Sequence, residues 1–392
     1  MVSCSPSDAE SLFPGVSNST ALSLCFFSNA FTDIVIECLK YEAYISIVCF
    51  LVNVFHFAVL VQKPMRTSSI NVIMAFIAVS DAYSVTFAIK TKIDSIVDSF
   101  IECPPPPSHL TAQLQLVLVS LQTFTRRCST WLTLLMALIR TLVVRNPLNP
   151  KFERLSLPKF AFIFVALVFC LSCPISIFTF IGTKIDSLVF TPEKKCQNTS
   201  NKRQFVHFQT ESDLFLEHSD LVSYFYAAEA IISKVIPCIL LPILTYLLIK
   251  EIRKVEENRK RLASSSSLNN EANSGRTTKL VLVWTITFSL AEFPLGVIYT
   301  VDRFFAVLDV SFGIRTIVVF LSHLFSLILS VNTCVHMFIS LLISSQYRKT
   351  AESLLCCGNV PKTMVIKDSK LTFYEISEKQ GGCQCGLVEK VK

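Results

Sequence analysis

The sequence contains few charged residues. Only 17% of the 392 residues are Asp, Glu, Lys or Arg, and 52% are hydrophobic. Soluble domains carry roughly 25% charged residues. This shortage of charge excludes a water-soluble globule built around a single core and directs attention to the long apolar runs.

Motifs for catalysis and metal binding are also missing from the sequence. There is no H-E-x-x-H, no G-x-S-x-G and no pair of acids at the spacing of an intramembrane protease. Cys383 and Cys385 have no second cysteine pair at the spacing of a zinc site. We therefore expect no catalytic residues, no bound metal centre and no nucleic-acid partner.

Seven segments are long and apolar enough to cross a membrane, which requires ~20 mostly apolar residues for ~30 Å of hydrocarbon. The third, fifth and sixth contain charges, so six or eight spans remain as alternatives. The sequence thus predicts an all-α membrane protein: a seven-transmembrane helix bundle with a short cytoplasmic amphipathic helix after helix 7. The spans cover about 43–62, 70–89, 109–144, 160–182, 222–249, 279–300 and 316–344.

Lysine and arginine in the loops predict the orientation, because basic loops remain in the cytoplasm. They concentrate in the loops after helices 1, 3 and 5. We expect a multi-pass plasma-membrane protein with its amino terminus outside and its carboxyl terminus inside. The predicted parts are an extracellular segment (1–42), a seven-helix domain (43–344), an amphipathic helix (345–357) and a flexible cytoplasmic tail (358–392).

Candidate modification sites agree with this orientation. Two glycosylation motifs lie outside, and so do two loop cysteines, in a compartment where disulfides persist. Two further cysteines follow helix 7 on the inside, a position that favours palmitoylation. These sites are Asn18 and Asn198, Cys103 and Cys196, and Cys356 and Cys357.

Helix 3 carries arginines at two depths. Arg126 precedes Arg140 by 14 residues, or about 21 Å along a helix axis. If Arg140 lies near the inner surface, Arg126 lies in the outer half of the membrane. Arg127 is turned by roughly 100° from Arg126, so the two cannot meet the same partner. The face that Arg126 and Arg140 share also holds Gln122, Ser129 and Met136.

A guanidinium at membrane depth requires a partner, because arginine cannot lose its charge. Glu229 and Glu292 are the acids at comparable depth, and we hypothesise an ion pair between Arg126 and Glu292. This pair either fixes helix packing or lines a ligand site and rearranges on binding. The candidate ligand-pocket residues are Gln122, Arg126, Glu229 and Glu292.

Several motifs occur in order along the helices. They include Asn53 in helix 1, the acid Asp81 in helix 2, and Arg140 followed by Pro147 and Leu148. Together they resemble rhodopsin-like G-protein-coupled receptors and, more closely, the nematode serpentine receptor class W branch, which is related to FMRFamide-type neuropeptide receptors. The resemblance covers about 40–357. Further matches are 63–67, Asn71, Pro237, Pro294, 332–334 and 344–350.

The resemblance implies a receptor that binds an extracellular ligand, preferably a neuropeptide, and promotes nucleotide exchange on a heterotrimeric G protein. A chemosensory receptor for a small-molecule cue is the alternative. A transporter or channel is a weaker one, because no inverted halves are detectable. Arg140, Pro147 and Leu148 would contact the G protein; the competing interpretation is that Arg140 only extends to lipid headgroups.

The resemblance also implies a bound sodium ion in helices 2, 3 and 7. Asp81, Ser129 and Asn332 match the family's sodium ligands, and His336 replaces an asparagine. Oxygen ligands suit such a hard cation, and a hydrated polar cluster without sodium is the alternative. No other cofactor is expected.

A disulfide between Cys103 and Cys196 is a further implication of the resemblance. The sequence also departs from the family pattern, because Ile139 and Thr141 replace the acid and the aromatic residue that usually flank the helix-3 arginine. Glu292 stands where helix 6 usually has tryptophan, and helix 7 lacks its proline. Rival disulfide partners are Cys4, Cys25 and Cys38.

Overall fold

The computed structural model describes residues 4–146, 149–190, 204–262, 271–307 and 311–355. The helices are α1 (Pro6–Leu12), α2 (Asn18–Lys40), α3 (Glu42–Leu60), α4 (Ser69–Ser84), α5 (Thr86–Ser99), α6 (His109–Arg145), α7 (Pro150–Arg154), α8 (Pro158–Ile181), α9 (Asp213–Glu217), α10 (Ser219–Ala230), α11 (Ile236–Leu262), α12 (Glu271–Val307), α13 (Phe312–Ile343) and α14 (Ser345–Leu355). The strands are β1 (Thr183–Phe190) and β2 (Gln204–Glu211), and a π-helical segment, Ile231–Val235, joins α10 to α11.

Each predicted membrane span coincides with helical structure. The first, third, fourth and seventh spans correspond to α3, α6, α8 and α13. The second combines α4 and α5, the fifth runs from α10 through the π-helical segment into α11, and the sixth lies within α12. The all-α, seven-helix prediction is confirmed.

An eighth helix, α2, is also long and apolar enough to cross a membrane, and the sequence analysis did not anticipate it. Only Tyr41 separates α2 from α3, and its right-handed helical backbone does not reverse the chain. At 1.5 Å per residue, Asn18–Leu60 extends over about 65 Å, roughly twice the thickness of the hydrocarbon. Since α3 belongs to the bundle, α2 extends beyond it.

The first two helices form a small unit at the start of α13. A disulfide joins Cys4 to Cys25, and Phe13 and Ala21 pack with Ile314 and Ile317. Phe13 lies so close to Gly313 that an added Cβ would meet its ring at 2.4 Å. Glycine at position 313 thus permits this contact.

The bundle has two distinct ends. One carries the antiparallel β1–β2 hairpin, in which Thr183 pairs with Glu211 and Phe190 with Gln204; we name it the hairpin end. The other carries α14, which packs on α3 and α13; we name it the α14 end. The sequence analysis predicted no strands.

Burial is greatest around α4 and α6 at the centre of the bundle. On α4, 13 of 16 residues are buried, and Ile73 and Ile77 pack in one core cluster with Leu132 and Trp284. On α8 only Ala161, Val165 and Ser172 are buried. Phe164, Val168 and Phe169 pack against the core from the same side of α8, whereas Phe162, Leu167 and Leu171 are exposed, as expected for a helix that contacts lipid on one side.

Candidate functional site

A cavity of about 540 Å³ opens at the hairpin end of the bundle. Residues from α2, α3, α5, α6, α10, the π-helical segment, α12 and α13 line it. Three of the four predicted pocket residues, Gln122, Arg126 and Glu229, are among them. Glu292 is not a lining residue, and Lys234, which contacts it, takes its place at the cavity wall.

A buried ion pair joins Arg127 of α6 to Glu229 of α10. Arg127 Nη2 donates to Glu229 Oε1 at 2.8 Å, and both residues are less than one-tenth exposed. Arg127 Nε donates to Ser233 Oγ at 3.0 Å, and Nη1 donates to Ser176 Oγ at 2.9 Å. The guanidinium therefore connects α6, α8 and the helix that contains Glu229, with its charge balanced.

The hypothesised Arg126–Glu292 pair is wrong. Glu292 Oε1 instead accepts from Lys234 Nζ at 2.9 Å and from Thr130 Oγ1 at 3.2 Å. Glu292 is fully buried, so its carboxylate is already committed to a lysine from another helix.

The π-helical segment explains why the sequence reasoning missed Lys234. In a regular α-helix, Lys234 would be turned by about 140° from Glu229. The amide of Ile236 instead bonds to the carbonyl of Ile231, five residues earlier, and such turns stack residues about five apart. Glu229 and Lys234 consequently both face the bundle interior, the first toward α6 and the second toward α12.

Arg126 is bound by hydroxyl groups. Its Nη1 donates to Ser326 Oγ at 2.5 Å and its Nη2 to Ser330 Oγ at 3.4 Å, both on α13. Among the described residues no carboxylate forms an ion pair with Arg126. As the sequence predicted, Arg126 and Arg127 have different partners.

The residues of the candidate sodium site lie around Asp81. Ser129 Oγ donates to Asp81 Oδ1 at 2.7 Å, and His336 Nδ1 lies 3.6 Å from Oδ2. Asp81 Oδ2 is buried and has no hydrogen-bond partner within the described ranges. A cavity of about 10 Å³ adjoins Asp81, Ser129 and Thr333, and the cation Arg126 also lines it. An orphaned carboxylate oxygen beside hydroxyl oxygens fits a hard cation; Asn332 is buried but does not line this cavity.

Arg140 lies near the α14 end of α6. It is 8% exposed, and its Nε has no hydrogen-bond partner in the described structure. The neighbouring Thr141 donates its hydroxyl to the carbonyl of Ala137, and Ile139 is buried. The flanking residues thus supply no acid to restrain Arg140. Pro147 and Leu148 lie outside the described residues.

A cluster of rings that the sequence reasoning missed lies at the same end. The Tyr347 hydroxyl of α14 and His56 Nδ1 of α3 are 2.7 Å apart. The Trp284 ring lies 4.4 Å from that of His336 and 6.3 Å from that of His56, between ring centroids. These contacts connect α3, α12, α13 and α14. A histidine in an apolar helix was the available sequence signal.

The predicted modification sites are only partly described. Cys103 is disulfide-bonded, and its predicted partner Cys196 lies outside the described residues, as do Asn198, Cys356 and Cys357. The Cys4–Cys25 bond removes two rival partners, and Cys38, the third, is free. Asn18 is exposed at the first turn of α2.

The seven-helix bundle, with a cavity at one end and a buried helix-3 arginine toward the other, has the architecture of a membrane receptor. A family model described as serpentine type 7TM GPCR chemoreceptor Srw matches residues 40–358. The chain therefore belongs to this family of G-protein-coupled receptors. No curated protein matches the chain.

Proposed function

We propose that an extracellular ligand binds in the cavity at the hairpin end and activates a heterotrimeric G protein at the α14 end. The observation that carries this proposal is the cavity itself. Its volume, about 540 Å³, falls within the roughly 300–1,000 Å³ of small-ligand sites, and charged groups from several helices converge on it.

This proposal places the hairpin end outside the cell and α14 in the cytoplasm. The basic segments after helices 1 and 3 lie at the α14 end, where Gln346 bonds to Pro64 and Ser69 bonds to Ser156, in agreement with the positive-inside rule. The Cys4–Cys25 disulfide is at the opposite end, and disulfides persist in oxidising compartments. Insertion in the plasma membrane and palmitoylation of Cys356 and Cys357 would complete this arrangement.

A single helix links the two ends. Both Arg126, at the cavity, and Arg140, toward the α14 end, belong to α6, and about 21 Å of helix separates them. A ligand that binds the active arrangement of α6 and its neighbours better than the resting one shifts the population toward it. Within the described ranges no carboxylate forms an ion pair with Arg140, so in this proposal Arg140 only has to become accessible to the G protein.

A neuropeptide is the proposed ligand, with the terminal residues of the peptide in the cavity. A small chemosensory cue is the second candidate, because the family model is described as a chemoreceptor family and the cavity volume suits a molecule of that size.

Agonist-dependent nucleotide exchange tests this function. The full chain is expressed at the cell surface and exposed to a neuropeptide library and to a set of small odorant molecules. We expect exchange with a member of one set, and loss of exchange in Arg140→Ala at matched surface levels. Arg154→Ala, which removes an exposed arginine of α7, should retain most of the response. A response that persists in Arg140→Ala contradicts the proposed role of Arg140.

A further inference from the structure

Basic side chains outnumber acidic ones around the cavity. Among the described lining residues, five are lysine or arginine and two are glutamate. Three of the basic groups have an acidic partner: Lys40 pairs with Glu37, Arg127 with Glu229 and Lys234 with Glu292. The two that remain are Arg126 and Lys92.

These two remaining cations differ in their surroundings. Lys92 Nζ lies 5.5 Å from the centre of the Tyr44 ring, so an aromatic face stabilises its charge. Among the described residues, the hydrogen-bond partners of Arg126 are the neutral hydroxyls of Ser326 and Ser330. Glu292, Glu42 and Asp81 attract its charge from a distance, but none of the three forms an ion pair with it.

A guanidinium at membrane depth without a contacting carboxylate is costly, and its planar fork of donors matches a carboxylate in two parallel hydrogen bonds. A carboxylate would add the attraction between opposite charges that the serine hydroxyls lack. Arg126 therefore has a suitable geometry, and a charge without a contacting carboxylate among the described residues, to receive an anion from the cavity.

We propose that the ligand carries a carboxylate that pairs with Arg126. This inference rests on the proposed function, in that the ligand site is the same cavity. The carboxylate can belong to a free peptide carboxyl terminus or to a small organic acid. In either case the neutral amide of the same molecule binds less well, because it brings no charge to pair with Arg126.

Matched acid and amide pairs provide the test. The full-length receptor, purified in lipid nanodiscs, is heated with pentapeptides in free-acid and carboxamide forms, and with small aromatic acids such as 3-phenylpropionate beside their amides. Binding to the native state raises Tm. We expect at least one acid to bind roughly 10- to 100-fold more tightly than its amide, as a lost charge-assisted hydrogen bond implies. The set that contains this acid identifies the source of the carboxylate.

Three variants attribute the effect to Arg126. Arg126→Gln should remove the preference for acids, whereas Arg126→Lys should retain part of it because the charge remains. Arg315→Gln, which removes an exposed arginine near the start of α13, should leave it unchanged. The proposal is overturned if no acid stabilises the receptor more than its amide does, or if the preference survives in Arg126→Gln.

The compounds that raise Tm are then applied in the nucleotide-exchange assay. This assay distinguishes the carboxylate site from the proposed function. Acid-selective stabilisation without exchange would contradict the proposed function and leave the carboxylate site standing. Exchange driven equally by acids and amides, and unaffected by Arg126→Gln, would support the function and overturn the carboxylate site.

Discussion

The Tyr347 hydroxyl of α14 and His56 Nδ1 of α3 share a hydrogen bond of 2.7 Å in a site where both residues are at most 1% exposed. Gln346 Nε2 of α14 also donates to the carbonyl of Pro64, just beyond α3. Through these contacts α14 is held against α3, while Trp284 of α12 lies beside His56. A movement of α12 would therefore change the packing of α14 against α3.

Removing the Tyr347 hydroxyl should destabilise this end of the bundle. Tyr347→Phe leaves His56 Nδ1 buried without a partner, which costs about 1–3 kcal/mol. The midpoint of thermal unfolding should fall, whereas Tyr246→Phe, on an exposed part of α11, should leave it unchanged. Equal midpoints in the two variants would contradict a stabilising role for the bond.

Tyr347 also predicts a pH dependence in the alkaline range. Burial raises the pKa of the Tyr347 hydroxyl above its usual value, so the folded state retains this proton more strongly than the unfolded state does. The resulting stability is fully present below pH ~10, the ordinary pKa of tyrosine, and decreases as the pH rises above it. In thermal unfolding curves, Tyr347→Phe should show a smaller alkaline loss than the wild type.

Reversing the charge of Lys234 or of Glu292 alone should lower surface expression, and reversing both together should restore part of it. Lys234→Glu and Glu292→Lys each leave like charges together in a buried site, at a cost of about 3–5 kcal/mol or more. We expect low surface expression in each single variant and partial recovery in the double variant. The double variant Arg126→Glu with Glu292→Arg should not recover surface expression, because Arg126 bonds to serines. Recovery in this variant would support an Arg126–Glu292 ion pair.

Sodium should stabilise the receptor through Asp81. The orphaned Asp81 Oδ2 and its hydroxyl neighbours provide oxygen ligands, and a ligand present at ten times its Kd contributes about 1.4 kcal/mol. Thermal unfolding in sodium chloride should occur a few degrees above that in potassium chloride, and Asp81→Asn should remove the difference. A sodium effect that persists in Asp81→Asn would place the ion elsewhere.

The Cys4–Cys25 disulfide should stabilise the α1–α2 unit without affecting the bundle. The bond closes a loop across a sequence separation of 21, for which the chain-entropy estimate is about 3 kcal/mol. In Cys4→Ser, hydrogen exchange should accelerate in α1 and the first half of α2, as expected for local unfolding. Cys38→Ser, at a free cysteine, is the control; faster exchange throughout the bundle would contradict this assignment.

Hydropathy and helical spacing predicted the seven spans because each follows from local composition. The separate partners of Arg126 and Arg127 also followed from spacing. The partner of Glu292 did not, because the irregular turn at Ile231–Val235 changes which side chains face inward and has no evident signal in one sequence. The contact between Tyr347 and His56 could not be predicted either. The two residues are 291 positions apart in the sequence, and their contact depends on how α14 folds back.

The π-helical segment at Ile231–Val235 also determines how this chain should be compared with its relatives. A π turn is equivalent to one residue inserted into an α-helix, so the side chains of α11 are rotated by about 100° from a continuous helix. For a relative that lacks this turn, an ungapped alignment would pair inward-facing residues of α11 with outward-facing ones. A one-residue gap placed inside the fifth span, rather than in a loop, would restore the correspondence of Cys238 and Leu241, which are buried here, with their inward-facing counterparts.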